Sequence, residues 1–207
     1  VPTLTQNPKR NYSPLVPAPH YIRPSQAGLQ HWFTALADAS DKPLIVYDIP
    51  YRTGAQLTVD TLLALAAHPN IRAIQDCGGD PGKTQALIAD GRLQVLAGED
   101  AQIFTTLALG GVGAIAASAH LCTAQFVAVL RCLQAGELQQ ARQLWHPLVP
   151  LIQAAFAEPN PALIKYALAQ QGLLYDGLRL PMTAASGAAA RHMQAVLDRL
   201  SRSRAVD

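Results

Sequence analysis

The sequence predicts an α/β protein with a parallel sheet followed by a wholly helical C-terminal part. Four short apolar segments end in polar residues: 43–50, 71–77, 93–100 and 112–118. Apolar runs without alternation are typical of strands that are buried on both faces of a parallel sheet. Segments with helical spacing separate these runs, and alternation of strands and helices is the signature of βαβ units.

The N-terminal elements follow the same pattern. A short strand at 15–19 and a helix at 24–40 precede the first long apolar run. Three further helices are predicted between the strands, at 57–68, 80–90 and 100–110. Asp80 and Asp100 open two of these helices, and we expect both carboxylates to cap the helix N-termini.

The C-terminal elements are all predicted to be helices, at 123–136, 137–158, 162–172 and 186–200. Pro147 and Pro150 should kink or break the second of them, because proline removes a backbone donor and clashes with the preceding turn. We expect one continuous domain, in which 1–122 forms the barrel portion and 123–207 forms the last barrel helix and a helical extension. Residues 201–207 are expected to be a frayed end.

Composition argues against several classes of partner. The formal net charge is +2 with 14% charged residues, and no basic face suggests nucleic acid. The most apolar stretch, 107–121, is shorter than a membrane span, and the first 19 residues lack the apolar run of a signal peptide. Three scattered cysteines suit a reducing, cytoplasmic compartment, and the six histidines lack metal-ligand spacing. We therefore expect no metal or cofactor, and small molecules or other subunits as partners.

Polar side chains gather where the predicted strands end. The carboxyl ends of parallel strands lie at one edge of a sheet or barrel, so these side chains should form a polar ring. Arg52 follows one strand in a tight YRTG loop, where a planar guanidinium can hold a carboxylate through two hydrogen bonds. The other members of the ring are Tyr47, Asp48, Gln75, Asp76, Glu99, Asp100, Ser118 and His120.

Six motifs stand out along the chain: PHYIRPSQAGL (19–29), YDIPYRTG (47–54), GEDA (98–101), LGGVGAIAASAHL (109–121), EPNPALIKYAL (158–168) and LRLPMT (178–183). In this order and spacing they resemble the dihydrodipicolinate synthase/N-acetylneuraminate lyase family, with the synthases most similar. The resemblance implies a homotetrameric TIM (β/α)8 barrel with a C-terminal helical extension, a class I aldolase fold that uses pyruvate through a lysine Schiff base. Synthases of the family serve lysine biosynthesis by condensing pyruvate with aspartate semialdehyde, and the lyases cleave related 2-oxo acids.

The resemblance assigns roles to five residues. Tyr47 matches the tyrosine that relays protons near the Schiff base, and Arg52 matches the arginine that receives the second substrate's carboxylate. Tyr21 matches a tyrosine lent across the tight dimer interface. Ile115 and Gly98 match residues that line the pyruvate pocket. For Tyr21, a purely structural role is about as plausible as the family role.

One departure concerns the catalytic amine. Gln75 stands where the family motif has lysine, and it cannot form a Schiff base because the lone pair of an amide nitrogen is delocalised. Lys83 is the only plausible substitute, although its helix should point the side chain away from the barrel axis. Lys42 should lie at the opposite end of the barrel, and Lys165 belongs to the helical extension.

A second departure concerns length. A TIM barrel takes about 250 residues, whereas this chain has 207 and supplies five candidate strands from residue 15 onward. VPTLT (1–5) resembles the family's first strand, and the segment with the family's GTTGE-type loop is missing from the sequence. Either this part has been lost or the sequence joins pieces that are not adjacent in a longer parent, which we favour. We therefore predict a barrel that is incomplete at its N-terminal side.

Three functions follow from these observations. The first is a dihydrodipicolinate synthase-like lyase or synthase whose Schiff-base chemistry is lost or altered at Gln75. The second is a catalytically inactive pseudoenzyme that binds a pyruvate-like 2-oxo acid through Arg52 and Tyr47. The third is a structural partner that assembles with an active paralogue near Tyr21. In each case we expect an oligomer, either a dimer or a tetramer.

Overall fold

The computed structural model describes residues 12–204, so the predicted strand at 1–5 lies outside the described residues. The chain divides into two compact units. The first unit runs to Ala97 and takes in Leu109–Val112, and the second comprises Gly98–Ala108 and the chain from Gly113 onward.

The first unit contains a parallel sheet in which each strand pairs with its neighbour in the chain. This arrangement confirms the predicted alternation of strands and helices. Its strands are β1 (Leu15–Pro17), β2 (Leu44–Asp48), β3 (Ile71–Asp76) and β4 (Gln94–Ala97), and its helices are α1 (Gln26–Ala39), α2 (Pro50–Thr53), α3 (Val59–Leu65) and α4 (Pro81–Asp90).

The helix-covered face of this sheet forms the core of the first unit. Val46, Ile74 and Val95 are partners in the strand register and are almost fully buried. They pack with apolar residues of the helices, including Leu29 and Phe33 of α1. Burial of this apolar surface is the main favourable contribution to folding of the unit.

The opposite face of the sheet is less covered than the sequence predicts. Ile45 and Tyr47 of β2 and Leu96 of β4 are half-buried, whereas their neighbours in the chain are buried. Side chains alternate between the two faces of a strand, so one face packs on the helices and the other is partly open. The expectation that these strands are buried on both faces is therefore wrong for β2 and β4.

Helix α4 begins and ends as its sequence predicts. The Asp80 carboxylate accepts hydrogen bonds from the amides of Gly82 and Lys83 at 2.9 and 3.2 Å, which confirms it as the N-cap. Pro81 occupies the first turn, where its missing N–H has no helical partner to lose. Gly91 ends the helix in the left-handed region with φ 77°.

The second unit is mainly helical, as predicted. A 3₁₀ turn, Asp100–Gln102, leads into its first helix, and its strand β5 contains two residues. None of the helices within residues 12–204 is both long and apolar enough to cross a membrane. The elements are α5 (Ile103–Ala108), β5 (Gly113–Ala114), α6 (Ala119–Gln134), α7 (Leu138–Trp145), α8 (Leu148–Ala155), α9 (Ala162–Gln170) and α10 (Gly187–Arg204).

The predicted break near the two prolines is confirmed. Helix α7 ends at Trp145 and α8 begins at Leu148, with Pro147 between them. Pro150 lies in the first turn of α8, where its missing N–H breaks no helical hydrogen bond. The Trp145 ring packs against Phe104 and Phe126 at centroid distances of 5.8 and 6.2 Å, which ties α7 to α5 and α6.

Candidate functional site

Tyr47 and Gln75 are neighbours in the strand register of the first unit. Both lie on the face opposite Val46 and Ile74, because successive side chains of a strand point to opposite faces. Gln75 is only 4% exposed. The sequence-predicted tyrosine and the residue at the lysine position are therefore adjacent at the carboxyl ends of β2 and β3.

The Tyr47 hydroxyl is held in its neutral form. Burial raises the pKa of Tyr47 well above its ordinary value, and a hydrogen bond with the Cys77 side chain raises it further. The Arg52 guanidinium acts in the opposite direction but does not reverse the shift. Tyr47 is consequently a hydrogen-bonding phenol at neutral pH, and not a phenolate base.

Arg52 lies in a well-ordered turn directly after β2. The predicted tight loop is the single helical turn α2, which ends where Gly54 adopts φ 74° and donates to the Pro50 carbonyl at 2.8 Å. The Thr53 hydroxyl bonds to the Ile49 carbonyl at 3.1 Å and fixes the turn from inside. The Arg52 guanidinium lies 5.5 Å from the centre of the Tyr51 ring and is exposed, so it is free to meet an anion from solvent.

Two aspartates lie on the other face of the sheet, each one residue beyond the Tyr47 and Gln75 pair. Asp48 and Asp76 are register partners and are both buried. Lys83 of α4 donates a hydrogen bond to Asp48 Oδ2, and its Nζ lies 3.4 Å from Asp76 Oδ1. We call Asp48, Asp76 and Lys83 the ionic clamp.

The direction predicted for Lys83 is wrong. Its side chain points at the strand ends and is 2% exposed, because two carboxylates compensate the cost of burying the ammonium group. Burial lowers the pKa of Lys83, but its hydrogen bond to Asp48 and the charge of Asp76 raise the pKa above the ordinary value. Lys83 is therefore a protonated ion-pair partner on the helix-covered face, and not a free amine beside Tyr47.

Sequence reasoning missed the ionic clamp, although one signal was present. Asp48 and Asp76 each follow a residue singled out for the site, and the lysine stands three residues after the N-cap Asp80. A side chain at that position of a helix, whose first turn packs on the strand ends, is directed towards the sheet. This position brings the lysine to the strand ends, whereas its two partners follow from the strand register, which the sequence does not give.

Gly78 leaves the space that Lys83 occupies. A Cβ atom built on Gly78 would lie 2.0 Å from Lys83 Nζ and 3.0 Å from Asp48 Oδ2. We predict that Gly78→Ala destabilises the protein by about 1–3 kcal/mol, because the extra methyl group must displace a buried ion pair. Urea denaturation measures the change in the free energy of unfolding. Gly79→Ala is not a matched control, because Gly79 has φ 70° and alanine is strained in this left-handed region. Gly82→Ala, next to Lys83 in the first turn of α4, should have a smaller effect, because the nearest neighbour of its added Cβ atom is Asp80 Oδ1 at 3.3 Å. An equal loss in both variants would contradict the prediction.

Tyr21 lies in the bend after β1. Its φ is 75°, in the left-handed region, and its side chain is 93% exposed beside the exposed Ile22. A large aromatic side chain held in solvent by a strained backbone is a feature that a contact with another molecule would explain.

The second unit contains Gly98 and Ile115. Gly98 directly follows β4 in the chain, and Ile115 directly follows β5 and is 40% exposed. The strand predicted over 112–118 is wrong in extent, because the residues after Ala114 take other partners. The Ala117 and Ser118 amides donate to the Asp100 carboxylate at 3.3 and 2.6 Å, and the Ser118 hydroxyl donates to it as well.

The expected role of Asp100 as an N-cap is also wrong. Glu99 occupies the position before the 3₁₀ turn, and Asp100 is its first residue. The Asp100 side chain is buried and accepts hydrogen bonds from the segment at 117–118 instead. Asp100 therefore fixes the loop that follows Ile115. His120, another member of the predicted polar ring, is exposed at the start of α6.

Curated relatives share a large part of this sequence. The chain is 35% identical over 190 residues to the 4-hydroxy-tetrahydrodipicolinate synthase of Listeria monocytogenes serotype 4a (strain HCC23), covering 91% of this chain and 65% of the relative. It is 43% identical over 169 residues to the same enzyme of Limosilactobacillus fermentum, covering 81% and 54%. The chain thus spans less than two thirds of the length of these relatives.

Two solved structures of synthases are also similar to this chain. The chloride-inhibited dihydrodipicolinate synthase from Acinetobacter baumannii, complexed with pyruvate, matches with a TM-score of 0.86 and 34% identity over 89% of this chain and 64% of its own. The 4-hydroxy-tetrahydrodipicolinate synthase from Methylacidiphilum fumariolicum SolV matches with a TM-score of 0.88 and 33% identity over 91% and 64%. These neighbours support the TIM-barrel assignment, while incompleteness of the barrel stays a prediction.

A sequence profile covers nearly the whole described chain. The profile of the Dihydrodipicolinate synthetase family matches residues 13–200. This span includes both Tyr47 and Gln75 and every motif on which the resemblance rests. The chain belongs to the Dihydrodipicolinate synthetase family.

Proposed function

We propose that this protein binds a pyruvate-like 2-oxo acid without forming a Schiff base, as a family member whose covalent aldolase step is lost. The observation that carries the proposal is the pairing of Tyr47 with the buried amide of Gln75 at the ends of β2 and β3. The solved family member from Acinetobacter baumannii is complexed with pyruvate, which supports the choice of ligand class.

Each group has a non-covalent role in the proposal. The exposed Arg52 guanidinium receives a carboxylate through charge-assisted hydrogen bonds. The neutral Tyr47 hydroxyl exchanges its hydrogen bond with Cys77 for one to the keto oxygen or to the second carboxylate oxygen. The Gln75 side chain offers amide donors and an acceptor on the same face of the sheet. Gly98 and Ile115 remain proposed pocket-lining residues.

The lysines in the described part of the chain support the proposed loss of the covalent step. Lys83 is charged and buried between two carboxylates. Lys42 precedes β2, at the opposite end of the strand from Tyr47, and its Nζ lies 3.9 Å from Asp41 Oδ2. Lys165 belongs to the second unit and bonds to the Gly177 carbonyl. A Schiff base requires an uncharged amine beside the keto carbon, and none of these three lysines meets that requirement.

The proposal includes assembly with a second subunit through the bend at Tyr21. Its support is the exposure of Tyr21 and Ile22 next to each other, together with the positive φ of Tyr21. Aromatic residues are enriched at the centres of protein interfaces, which is consistent with this assignment.

Arg52→Ala tests the carboxylate site. We predict that calorimetric titration with pyruvate shows a loss of affinity of about 10- to 100-fold, the range for a hydrogen bond to a charged group. Arg92→Ala is the matched control, because Arg92 lies at the amino end of β4, forms hydrogen bonds with Asp90 and should not affect pyruvate binding. Equal affinities of the wild-type protein and Arg52→Ala would contradict the proposed site.

Wild-type protein should also gain no mass when it is treated with pyruvate and borohydride. Borohydride reduces an imine to a stable secondary amine, so any Schiff base becomes a permanent adduct. An adduct on any lysine of the wild-type protein would refute the non-covalent proposal.

A further inference from the structure

The ionic clamp connects the ends of two strands directly behind the proposed binding site. Asp48 follows Tyr47 in β2 and Asp76 follows Gln75 in β3, and both residue pairs are in register. One ammonium group contacts both carboxylates. We propose that Lys83 is a positioning residue that sets the spacing of Tyr47 and Gln75 for ligand binding, an inference that rests on the proposed function.

The clamp also reaches the turn that carries Arg52. Asp48 Oδ1 accepts a hydrogen bond from the Leu57 amide at 3.2 Å, while its Oδ2 accepts from Lys83. The segment between Asp48 and Leu57 contains helix α2 and therefore Arg52. One carboxylate thus closes a loop over the arginine turn, and Lys83 fixes the orientation of that carboxylate.

The second carboxylate is held independently of Lys83. Asp76 Oδ1 accepts from the Gly78 amide at 2.9 Å, and Asp76 Oδ2 accepts from the Thr84 hydroxyl at 2.6 Å. Asp76 therefore keeps two donors when Lys83 is removed, whereas the Asp48 carboxylate keeps only the Leu57 amide among its described hydrogen-bond donors. This asymmetry predicts that loss of Lys83 mainly frees β2 and the Arg52 turn.

The geometry distinguishes positioning from simple stabilisation. Small displacements of binding groups weaken ligand contacts strongly, while many destabilising changes elsewhere leave a folded site intact. Lys83 lies on the face of the sheet opposite Tyr47, so its effect on a ligand is transmitted through the strand ends and through the turn closed by Asp48. A variant that removes the clamp should therefore change affinity more than a variant that weakens the core to the same extent.

The double variant Asp48→Asn/Lys83→Met tests the proposal without leaving Asp48 as a buried unpaired charge. Asparagine can still accept from the Leu57 amide, and Asp76 keeps its two donors. Phe33→Leu is the control, because Phe33 is fully buried in the core of the same unit and is not a member of the ionic clamp. Pyruvate affinity is measured by calorimetry, and exchange of backbone amides at 49–57 is measured by mass spectrometry.

We expect the double variant to lose affinity for pyruvate by about tenfold or more and to exchange amides at 49–57 about tenfold faster. Phe33→Leu should keep wild-type affinity and wild-type exchange in this segment. Wild-type affinity in the double variant, with Arg52→Ala impaired, would overturn the role of Lys83 and leave the proposed function intact.

If the wild-type protein binds no pyruvate, amide exchange at 49–57 still tests the positioning role of Lys83. The proposed function then fails, and unchanged exchange at 49–57 in the double variant would overturn the positioning role as well. Faster exchange confined to that segment would support the positioning role without the ligand assignment.

Discussion

Replacing Gln75 with lysine should create an amine that pyruvate modifies covalently. The new side chain would replace a residue that is 4% exposed, next to Tyr47 in the register, and burial lowers the pKa of a lysine towards its reactive, neutral form. The amine attacks the keto carbon, water leaves as the imine forms, and borohydride reduces the imine. We expect a mass increase of about 72 Da in Gln75→Lys after treatment with pyruvate and borohydride.

Two controls isolate the amine in this experiment. Gln75→Met has a side chain of similar length without nitrogen and should gain no mass. Gln75→Lys combined with Arg52→Ala should react more slowly, because the proposed carboxylate partner is missing. Absence of an adduct in a folded Gln75→Lys protein that still binds pyruvate would show that Gln75 does not occupy the position of the family lysine.

Replacing Lys83 with methionine should lower the free energy of unfolding more than Gly78→Ala does. Lys83 is 2% exposed and Asp48 is 0% exposed, so the substitution leaves a buried carboxylate without its cation. Removing one partner of a buried ion pair costs about 3–5 kcal/mol. The free energy of unfolding, measured by urea denaturation at pH 7–8, should fall by that amount in Lys83→Met.

The loss of stability in Lys83→Met should increase with pH. Burial raises the pKa of Asp48 above its usual range, and removal of Lys83 takes away the opposing effect of its hydrogen bond and charge. A carboxyl group whose folded-state pKa is raised destabilises the folded state increasingly as the pH rises above its unfolded value. The stability difference between the wild-type protein and Lys83→Met should therefore be smaller at pH 5 than at pH 8.

The double variant Asp48→Asn/Lys83→Met provides the comparison. Neutralising Asp48 together with Lys83 avoids an unpaired charge at Asp48, and Asp76 keeps hydrogen bonds from the Gly78 amide and the Thr84 hydroxyl. Replacing both members of a buried pair is often close to neutral. We expect it to recover most of the stability lost in Lys83→Met. A loss of less than about 1 kcal/mol in Lys83→Met itself would contradict the structural importance of the ion pairs.

Much of the fold was predictable because its signals are local. Apolar runs identified β2, β3 and β4 to within one or two residues at most ends, and Asp80 marked the start of α4. Pro147 predicted the break between α7 and α8, since a missing N–H acts on the nearest turn of the helix. Signals of this kind need no knowledge of distant partners.

The errors involve contacts between distant parts of the chain. The strand predicted over 112–118 ends at Ala114, and the amides of Ala117 and Ser118 bond to Asp100 rather than continuing a strand. The direction of Lys83 depends on Asp48, which lies 35 residues away. A local pattern does not report which of several possible partners a polar group will take.

The sequence by itself determined the order of strands and helices, the family resemblance and the presence of glutamine at the lysine position. These properties depend on residue identity and short-range spacing. Only the tertiary structure decided that Tyr47 and Gln75 share one face of the sheet while Asp48, Asp76 and Lys83 form ion pairs on the other. The physical reason is that strand register and burial fix the surroundings of each charge, and both arise from packing between segments that are far apart in the chain.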